Sequence, residues 1–216
     1  VPIIGTGDNR DVQSLLAQVL TQQGIPSVAR GYGHDPLPSD AKLAVEHDAS
    51  LRDESKYRGL RWSKIEVKTA PMTWEEVERI LPPALEIIQY FGARVNESCG
   101  LHIHHHLPEV VERPEVARNL QHLWWRFHPV LYGVVAPSRR TGEYCRPPQP
   151  SDAMRFDGVQ SYEELHTTLG HLARYNGLNL TNLAYPGRMT VEWRLHGGTT
   201  DWDKVKAWVL ATQRWV

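Results

Sequence analysis

The stretch NESCGLHIHHH, residues 96–106, places four histidines within eleven residues, directly after an asparagine, a cysteine and a glycine. Side chains alternate across a β-strand, so residues two apart point to the same face. If residues 101–106 form a strand, two apolar side chains face one way and three imidazoles the other: Leu101 and Ile103 against His102, His104 and His106. The pattern predicts a strand with one buried face and one face of histidines.

Three other segments show the same alternation of apolar and charged side chains. Their charged faces carry Glu66 and Lys68 in residues 65–68, Glu192, Arg194 and His196 in residues 190–196, and Glu46 and Asp48 in residues 43–48. A polar strand face is most often simply solvated. These faces, however, hold carboxylate, imidazole and guanidinium groups, with almost no Ser, Thr or Gln. They predict one mainly antiparallel sheet, with a dry side and a side lined with ligand-binding groups.

Helical periodicity fills the chain between these strands. It predicts helices within residues 8–24, 73–92, 114–135, 161–176 and 200–216, with a proline-rich loop over residues 136–152. Two of the helices open with capping boxes, formed by Thr73 with Glu76 and by Ser161 with Glu164. Pro82–Pro83 is predicted to bend the second helix. No repeat or long linker divides the sequence, which therefore predicts a single α+β domain over residues 1–216.

The composition is that of an ordinary globular domain and excludes several functions. The 24 basic and 25 acidic side chains give a net charge of −1, which supplies no global field for nucleic acid or an anionic membrane. No apolar run approaches the roughly 18–20 residues of a membrane span. The two cysteines, Cys99 and Cys145, do not make a disulfide framework and favour a reducing compartment such as the cytoplasm.

Three of the charged strand positions predict a divalent cation site, namely Glu66, His102 and Glu192. Carboxylate oxygens suit Mg²⁺ or Mn²⁺, and one imidazole shifts the preference toward Mn²⁺. Arg194, together with the loop pair Arg139–Arg140, offers forked donors for a phosphate or a carboxylate. A metal beside arginines on an open sheet face is typical of phosphoryl transfer.

NESCGLHIHHH and the later TVEWRLHGGTTDWDKVKAWV, residues 190–209, together resemble the amidoligase family. Members of that family are similar to glutamine synthetase and glutamate–cysteine ligase. Supporting segments occur in the same order, and the matches cover most of residues 45–209: DASL, KIEVKTAPM, SRRTGEYC and RYNGLNL. Each motif is weak alone, whereas the two leading motifs are fairly specific as a pair.

The resemblance implies a glutamine synthetase-like catalytic domain, with a curved, mainly antiparallel sheet and helices on one face. It implies a ligase that depends on ATP and on Mg²⁺ or Mn²⁺. In such a ligase a carboxylate is phosphorylated to an acyl phosphate, and an amine then displaces the phosphate to form an amide. The implied partners are small-molecule or peptide carboxylates and amines.

Carried over to this sequence, the resemblance implies metal ligands at Glu66, His102 and Glu192. Glu66 and Glu192 would act in catalysis together with Arg194, which would stabilise the transferring phosphoryl group or the substrate carboxylate. The implied ATP contacts are His104, Arg139, Arg140 and Asn96. Asn96 would also shape the turn before the histidine strand.

The sequence departs from the family at its start. The family opens with a strand that carries Glu-x-Glu, and no such motif precedes residue 10. We expect either that the chain lacks this first strand or that this member has lost metal ligands, for which Glu46 and Asp48 would partly substitute. The alternatives are a phosphotransferase on the same scaffold, a non-catalytic protein that binds a nucleotide or a partner, and a metal-dependent hydrolase that uses His102, His104 and a carboxylate.

Two further residues have competing interpretations. His105 shares the apolar face of its strand and is predicted to pack rather than to act in catalysis. Cys99 is either a nucleophile for acyl transfer or a small turn residue, and the absence of a visible His–Asp pairing favours the turn. A Zn²⁺ site formed by Cys99, His102 and His104 lacks the second ligand pair of a structural site.

Overall fold

The computed structural model describes residues 2–4, 9–31, 33, 36–52 and 62–216. The chain divides into two compact units: unit 1 contains Val1–Cys99 and Gly198–Asp203, and unit 2 contains Gly100–Gly197 and Lys204–Val216. Each unit has its own sheet and its own apolar core. The single domain over residues 1–216 remains a prediction.

Unit 1 contains a four-stranded sheet and two helices among the described residues: β1 (Pro2–Ile4), α1 (Asn9–Gln22), β2 (Ser27–Arg30), β3 (Leu43–His47), β4 (Trp62–Thr69) and α2 (Trp74–Tyr90). The strand order is β1-β4-β3-β2. β2 runs parallel to β3, and the other neighbouring strands are antiparallel.

The core of unit 1 forms because alternate residues of the strands and one stripe of each helix point the same way. Its members include Leu43, Val45 and Ile65 from the strands, Leu16 and Leu20 from α1, and Ile80, Ala84 and Ile88 from α2. Full burial of a Val, Leu or Ile side chain contributes about 1.5–3 kcal/mol. The capping box of Thr73 and Glu76 is confirmed. α2 continues through Pro82 and Pro83, and the bend there remains a prediction.

Unit 2 holds a three-stranded sheet and most of the helices: β5 (Ile103–His106), α3 (Glu115–Val134), α4 (Pro137–Arg140), α5 (Pro150–Met154), α6 (Tyr162–Leu169), β6 (Leu178–Asn179), β7 (Thr190–Trp193) and α7 (Trp202–Gln213). α7 begins in unit 1 and continues into unit 2 at Lys204. The strand order is β5-β7-β6, and both pairs are antiparallel. A 3-10 helix, Thr181–Ala184, follows β6.

An aromatic cluster lies at the centre of the unit 2 core. Trp124 of α3 and Trp193 of β7 are fully buried, with ring centroids 5.8 Å apart in an edge-to-face arrangement. Tyr132, two turns further along α3, lies 5.9 Å from Trp124. Because Trp193 points into this core, Glu192 and Arg194 on either side of it point to the opposite, polar face.

The prediction of one sheet that contains residues 65–68, 101–106 and 190–196 is wrong for the described strands. β4 pairs with β1 and with β3, while β5 pairs with β7. β1 pairs with Trp62–Lys64 and β3 with Ile65–Thr69, so the described partners of β4 all belong to unit 1, and two smaller sheets replace the single one. The α+β class is confirmed, and the curved glutamine synthetase-like form remains a prediction.

The five predicted helices are present, with differences in length. The helix predicted over residues 161–176 ends at Leu169, and its capping box of Ser161 and Glu164 is confirmed. The proline-rich loop contains two short helices, α4 and α5. Cys99 and Cys145 are both buried free thiols. In the described part of the chain, no helix combines the length and apolar character needed to cross a membrane.

Candidate active site

Three polar side chains form a row across the sheet of unit 2. Glu192 on the central strand β7 is the direct partner of His104 on β5 and of Asn179 on β6. Directly opposite residues of antiparallel strands point to the same face, so these three side chains are neighbours. Glu192 and Asn179 are buried, whereas the side chain of His104 is 45% exposed. The row therefore has a buried carboxylate at its centre and an accessible imidazole at one end.

The two carboxylate oxygens of Glu192 have different partners. Oε2 accepts a 2.7 Å hydrogen bond from Nδ2 of Asn179. Oε1 accepts a hydrogen bond from Nη1 of Arg194. The same Oε1 lies 3.6 Å from Nδ1 of His102 and 3.7 Å from Nε2 of His104. Four residues singled out in the sequence thus come together in unit 2, while Glu66 belongs to unit 1.

Burial and the arginine set the charges of this cluster. The pKa of His102 is lowered to about 3, chiefly by burial and then by the charge of Arg194, so the imidazole is neutral at pH 7. Burial raises the pKa of Glu192, but the charges of His104 and Arg194 outweigh it, and the pKa lies below its usual range. Glu192 is therefore ionised, and Arg194 balances its charge.

Backbone carbonyl groups hold Arg194 and Arg139 in place. Nε of Arg194 donates to the carbonyl oxygen of Tyr144 at 2.9 Å, and its guanidinium carbon lies 5.7 Å from the centre of the Tyr175 ring. The buried Arg139 donates from Nη2 to the carbonyl oxygen of Arg194 at 2.5 Å and from Nε to that of Leu195 at 3.3 Å. Arg139 thereby fixes the backbone that carries Arg194, and its contact with ATP remains a prediction.

Arg140 and Asn96 also bond to groups close to them in the chain. Arg140 donates to the carbonyl oxygens of Gly133 at 3.1 Å and Val135 at 3.2 Å, at the C-terminal end of α3, where a cation stabilises a helix. In unit 1, Oδ1 of Asn96 accepts from the backbone N–H and the hydroxyl of Ser98 at 2.9 and 2.6 Å. Asn96 forms a turn, as predicted, and the ATP contacts of both residues remain predictions.

A second charged cluster lies on the sheet of unit 1. Glu46 of β3 is the direct partner of Arg30 on β2 and of Glu66 on β4. Nζ of Lys68 lies 2.7 Å from Oε2 of the fully buried Glu46 and 3.2 Å from Oε2 of Glu66. Nε of Arg30 lies 2.7 Å from Oε1 of Glu46. Two carboxylates are thus placed beside two cations.

The carboxyl groups of Glu46 and Glu66 differ in their affinity for a proton. Burial raises the pKa of Glu46, but the hydrogen bonds from Lys68 and Arg30 outweigh it, and the pKa lies below its usual range. Burial also raises the pKa of Glu66; Lys68 offsets this only in part, so the pKa stays above its usual range. On acidification, Glu66 therefore takes up a proton before Glu46.

The described residues do not fit a metal ion in this arrangement. Over residues 2–4, 9–31, 33, 36–52 and 62–216, no group of three or more His, Cys, Asp or Glu side chains is placed to hold one. Glu192 beside two imidazoles has donors that Mn²⁺ accepts, but its oxygens are bonded to Arg194 and Asn179. Glu66 is paired with Lys68. The predicted ligand set of Glu66, His102 and Glu192 remains a prediction.

Three residues of these clusters were not predicted from the sequence: Asn179, Arg30 and Tyr144. Asn179 lies in RYNGLNL, which the resemblance marks without a role, on a strand of two residues. Two residues show no periodicity, so only the observed pairing with β7 identifies this position. Arg30 ends β2, a strand of four residues that begins two residues after a turn. Tyr144 contributes a backbone carbonyl group, which no side-chain pattern reveals.

His105 and Cys99 have the structural roles predicted for them. Nε2 of His105 lies 2.8 Å from the hydroxyl of Thr212 on α7, so this imidazole packs on the other side of β5 from the Glu192 row. Cys99 is buried, and its backbone N–H donates to the carbonyl oxygen of Asn96 at 3.0 Å. Cys99 is thus a residue of the turn.

An α+β protein that surrounds a buried carboxylate with imidazole and guanidinium groups has the side chains typical of an enzyme active site. The chain belongs to the family described as "Putative amidoligase enzyme", whose model matches residues 10–216. The resemblance of the two histidine- and glutamate-bearing motifs is thereby confirmed, and the family name denotes an enzyme that forms amide bonds. No curated protein and no solved structure matches the chain.

Proposed function

We propose that this protein is an ATP-dependent carboxylate–amine ligase that works through an acyl phosphate. Membership of the family supports amide formation. The observation that carries the proposal is the cluster around Glu192, where Arg194 and two imidazoles surround one buried carboxylate. Groups that are already ordered in this way stabilise charge that moves during a reaction, because they need little rearrangement in the transition state.

The proposed reaction has two steps that balance in atoms and charge. A carboxylate oxygen of the substrate attacks the terminal phosphorus of ATP, which gives an acyl phosphate and releases ADP. An amine nitrogen then attacks the acyl carbon, the bond from that carbon to the phosphate oxygen breaks, and the released phosphate takes up the proton that the nitrogen loses. ATP supplies the phosphoryl group, and the residues of the protein bind, orient and balance charge.

We assign Arg194 to contact the transferring phosphoryl group or the substrate carboxylate. Its Nε and Nη1 donate to Tyr144 and Glu192, and in the part of the chain that the structure describes Nη2 makes no hydrogen bond. The guanidinium plane is thus held before a substrate binds, and the N–H groups of Nη2 remain to donate to an anion. Glu192 compensates the positive charge until the anion arrives.

The two imidazoles have different tasks in this proposal. His102 is neutral at pH 7, because its pKa is about 3, and it acts as a hydrogen-bond partner rather than as a cation. His104 is the more accessible of the two, with a side chain 45% exposed against 29% for His102. Its Nδ1 lies 3.2 Å from the hydroxyl of Thr190, which orients the ring. His104 is therefore the imidazole that we place beside the ATP phosphates.

The proposed substrates are a carboxylate and an amine, each carried by a small molecule or a peptide, in keeping with the family name. No step is assigned to a metal ion, because the described residues do not fit one in their present arrangement. Mg²⁺ or Mn²⁺ enters the test together with the nucleotide. If ADP release or the shift in Tm depends on the metal, substitutions at Glu66, His102 and Glu192 show which of these residues bind it.

Thermal unfolding and ADP release test the proposal. Millimolar ATP with Mg²⁺ or Mn²⁺ should raise the Tm of the full chain, because a ligand that binds only the native state stabilises it. ADP release should require both a carboxylate and an amine from a panel of amino acids and peptides. His102→Ala should reduce the nucleotide-induced shift in Tm more than His105→Ala, the matched control on the other side of the same segment.

The possible outcomes separate the alternatives. ADP release that needs a carboxylate but no amine indicates a phosphotransferase on the same scaffold. A shift in Tm without turnover indicates a nucleotide-binding protein that is not catalytic. If neither metal gives a shift and no substrate pair releases ADP, the ligase proposal is contradicted.

A further inference from the structure

Asn179 connects the Glu192 cluster to the backbone that follows β6. The residue is 3% exposed. Its Oδ1 accepts two hydrogen bonds from Thr181, one from the backbone N–H at 3.0 Å and one from the hydroxyl at 2.8 Å. Its Nδ2 donates to Oε2 of Glu192 at 2.7 Å. The amide therefore bridges the start of the 3-10 helix and the buried carboxylate.

The orientation of this amide follows from chemistry. A backbone N–H only donates, so the atom of Asn179 that faces Thr181 is the oxygen, and the NH₂ group faces Glu192. An ionised carboxylate only accepts, which gives the same orientation from the other side. The two ends of the Asn179 amide cannot be exchanged without the loss of hydrogen bonds in a buried site.

Anchoring one oxygen makes the two oxygens of Glu192 unequal. Oε2 is bonded to Asn179, so Oε1 is the oxygen that meets Arg194, His102 and His104. Rotation of the carboxylate would break the bond to Asn179 and leave a buried amide without a partner, which is unfavourable in a low-dielectric site. Asn179 on β6 thus determines which oxygen of Glu192 faces Arg194 and the imidazoles.

We propose that Asn179 is a positioning residue of this site, which holds Glu192 so that a single carboxylate oxygen faces Arg194 and the imidazoles. This inference rests on the proposed function, because it takes Glu192 as a residue of the active site. Asn179 is buried, and its Oδ1 and Nδ2 both bond to groups of the protein, so it acts through Glu192. Its loss therefore changes the placement of Arg194 rather than removing a reacting group.

Asn179→Asp tests this role with little change in shape. The variant keeps the oxygen that accepts from Thr181 and replaces the donor that faces Glu192 with a second carboxylate. We expect the Tm to fall by on the order of 5 °C. We expect kcat for ADP release to fall on the order of 10²-fold, as for a misplaced catalytic group, while KM for ATP changes less than about threefold.

Asn176→Asp is the matched control, because it also adds a carboxylate at a buried asparagine of unit 2. Among the described residues, Asn176 makes no hydrogen bond to Glu192. This control should leave kcat within about twofold of the wild-type value, whatever it does to the Tm. A loss of kcat in Asn176→Asp as large as in Asn179→Asp would overturn the assignment, since the effect would then not depend on Glu192.

A double variant tests whether the stability lost in Asn179→Asp comes from the hydrogen bond to Glu192. Asn179→Asp with Glu192→Gln restores one donor and one acceptor between β6 and β7, in the reverse direction and with the net charge of the native pair. We expect the Tm to return to within about 2 °C of the wild type, while kcat stays low because the carboxylate now lies on β6. Because Glu192→Gln removes the carboxylate that faces Arg194, kcat stays low under either role of Asn179. A Tm that does not recover would overturn the assignment, since the hydrogen bond between Asn179 and Glu192 would then not be the contact that Asn179→Asp breaks.

Arginine side-chain ¹⁵N spectra give a readout that does not depend on turnover. Arg194 is held by Glu192 and Tyr144, so its guanidinium signals should be resolved, and Arg194→Lys identifies them by their loss. Asn179→Asp and the double variant should both broaden these signals. If Asn179→Asp does not fold, Thr181→Ala removes one of the two donors to Asn179 and should broaden them more weakly.

Unchanged Arg194 signals in Asn179→Asp would overturn the positioning role. Recovery of both the signals and kcat in the double variant would do the same. If the wild-type protein releases no ADP with any substrate pair, the proposed function fails. The arginine spectra then still decide whether Asn179 positions Glu192.

Discussion

Glu46 and Glu66 are direct partners across the antiparallel strands β3 and β4, and the ammonium group of Lys68 lies 2.7 Å from the first and 3.2 Å from the second. Like charges directly opposite each other in a sheet are destabilising. Lys68 offsets this repulsion, and Arg30 places a second cation on Glu46. The polar face of unit 1 is therefore a network in which one lysine joins two carboxylates.

Lys68→Met should destabilise the protein more than the loss of an ordinary surface ion pair. Among the described residues, the buried Glu46 would keep Arg30 as its one cationic partner and would face Glu66 without an intervening cation. We expect the free energy of unfolding in urea to fall by about 2–4 kcal/mol at pH 7. The difference from the wild type should shrink on acidification, because Glu66, whose pKa is raised, then takes up a proton.

Lys42→Met is the control for this prediction. Nζ of Lys42 lies 2.8 Å from Glu76, and both side chains are about as exposed as that of Lys68. Among the described residues Lys42 bonds to one carboxylate and does not bridge two, so its loss should cost only about 0.5–1 kcal/mol. Equal losses in the two variants would show that Lys68 has no special role between Glu46 and Glu66.

His102 should make the folded protein less stable as the pH falls from 7 to 5. Its pKa is about 3 in the folded protein against an ordinary value of 6.5, so the unfolded chain binds a proton that the folded protein excludes. The stabilising contribution is present above pH 6.5 and is lost as the pH falls toward 3. Urea unfolding should show a decrease of roughly 2 kcal/mol from this group between pH 7 and pH 5.

Two histidine variants assign this pH dependence. His102→Asn should remove the corresponding part of the slope of unfolding free energy against pH. His122→Asn is the control variant, at a side chain of α3 that is 41% exposed. The assignment to His102 fails if the slopes of the two variants are the same.

Arg194→Lys should lower kcat for ADP release while ATP binding changes little. Lysine keeps the positive charge but lacks the planar fork that donates to Glu192 and Tyr144 at the same time, so the change is not conservative at this site. We expect a loss of kcat on the order of 10²–10³-fold, comparable to the loss of one ordered electrostatic donor. Steady-state kinetics beside a nucleotide thermal-shift titration measures the two effects separately, and full activity would refute the role of Arg194.

Arg140→Ala should act on stability and not on nucleotide binding. Arg140 donates to the last carbonyl groups of α3, so its loss should lower the free energy of unfolding by about 1 kcal/mol. The shift in Tm produced by ATP should stay that of the wild-type protein. A smaller ATP shift in Arg140→Ala would instead support the ATP contact that the resemblance implies for this residue.

Local signals predicted the helices, their capping boxes and the faces of the strands. The alternation around Glu66 and Glu192 depends only on neighbouring residues, and the structure places Ile65 and Trp193 in the two cores as it predicts. Strand partners depend on residues far apart in the chain. The pattern around Glu66 and that around His104 look alike, so nothing local shows that they belong to different sheets.

The same limit applies to the candidate site. The resemblance indicated Arg139 and Arg140 as an arginine pair without distinguishing their environments, and in the structure both donate to backbone carbonyl groups. Asn179 could not be found from its own segment, because its role depends on its register with Glu192 on another strand. The sequence thus predicted the charged side chains of the cluster around Glu192, and tertiary structure was needed to identify the residue that orients them.

The row of His104, Glu192 and Asn179 also determines when this site can form. His104 and Glu192 are about 88 residues apart in the chain, so their strands pair only after a long loop has closed, which slows folding. During synthesis from the N-terminus, β2, β3 and β4 of unit 1 are complete by residue 69. β5, by contrast, must wait for β7. A nascent chain that has not reached residue 192 contains His102 and His104 but not Glu192, so the site forms late in folding.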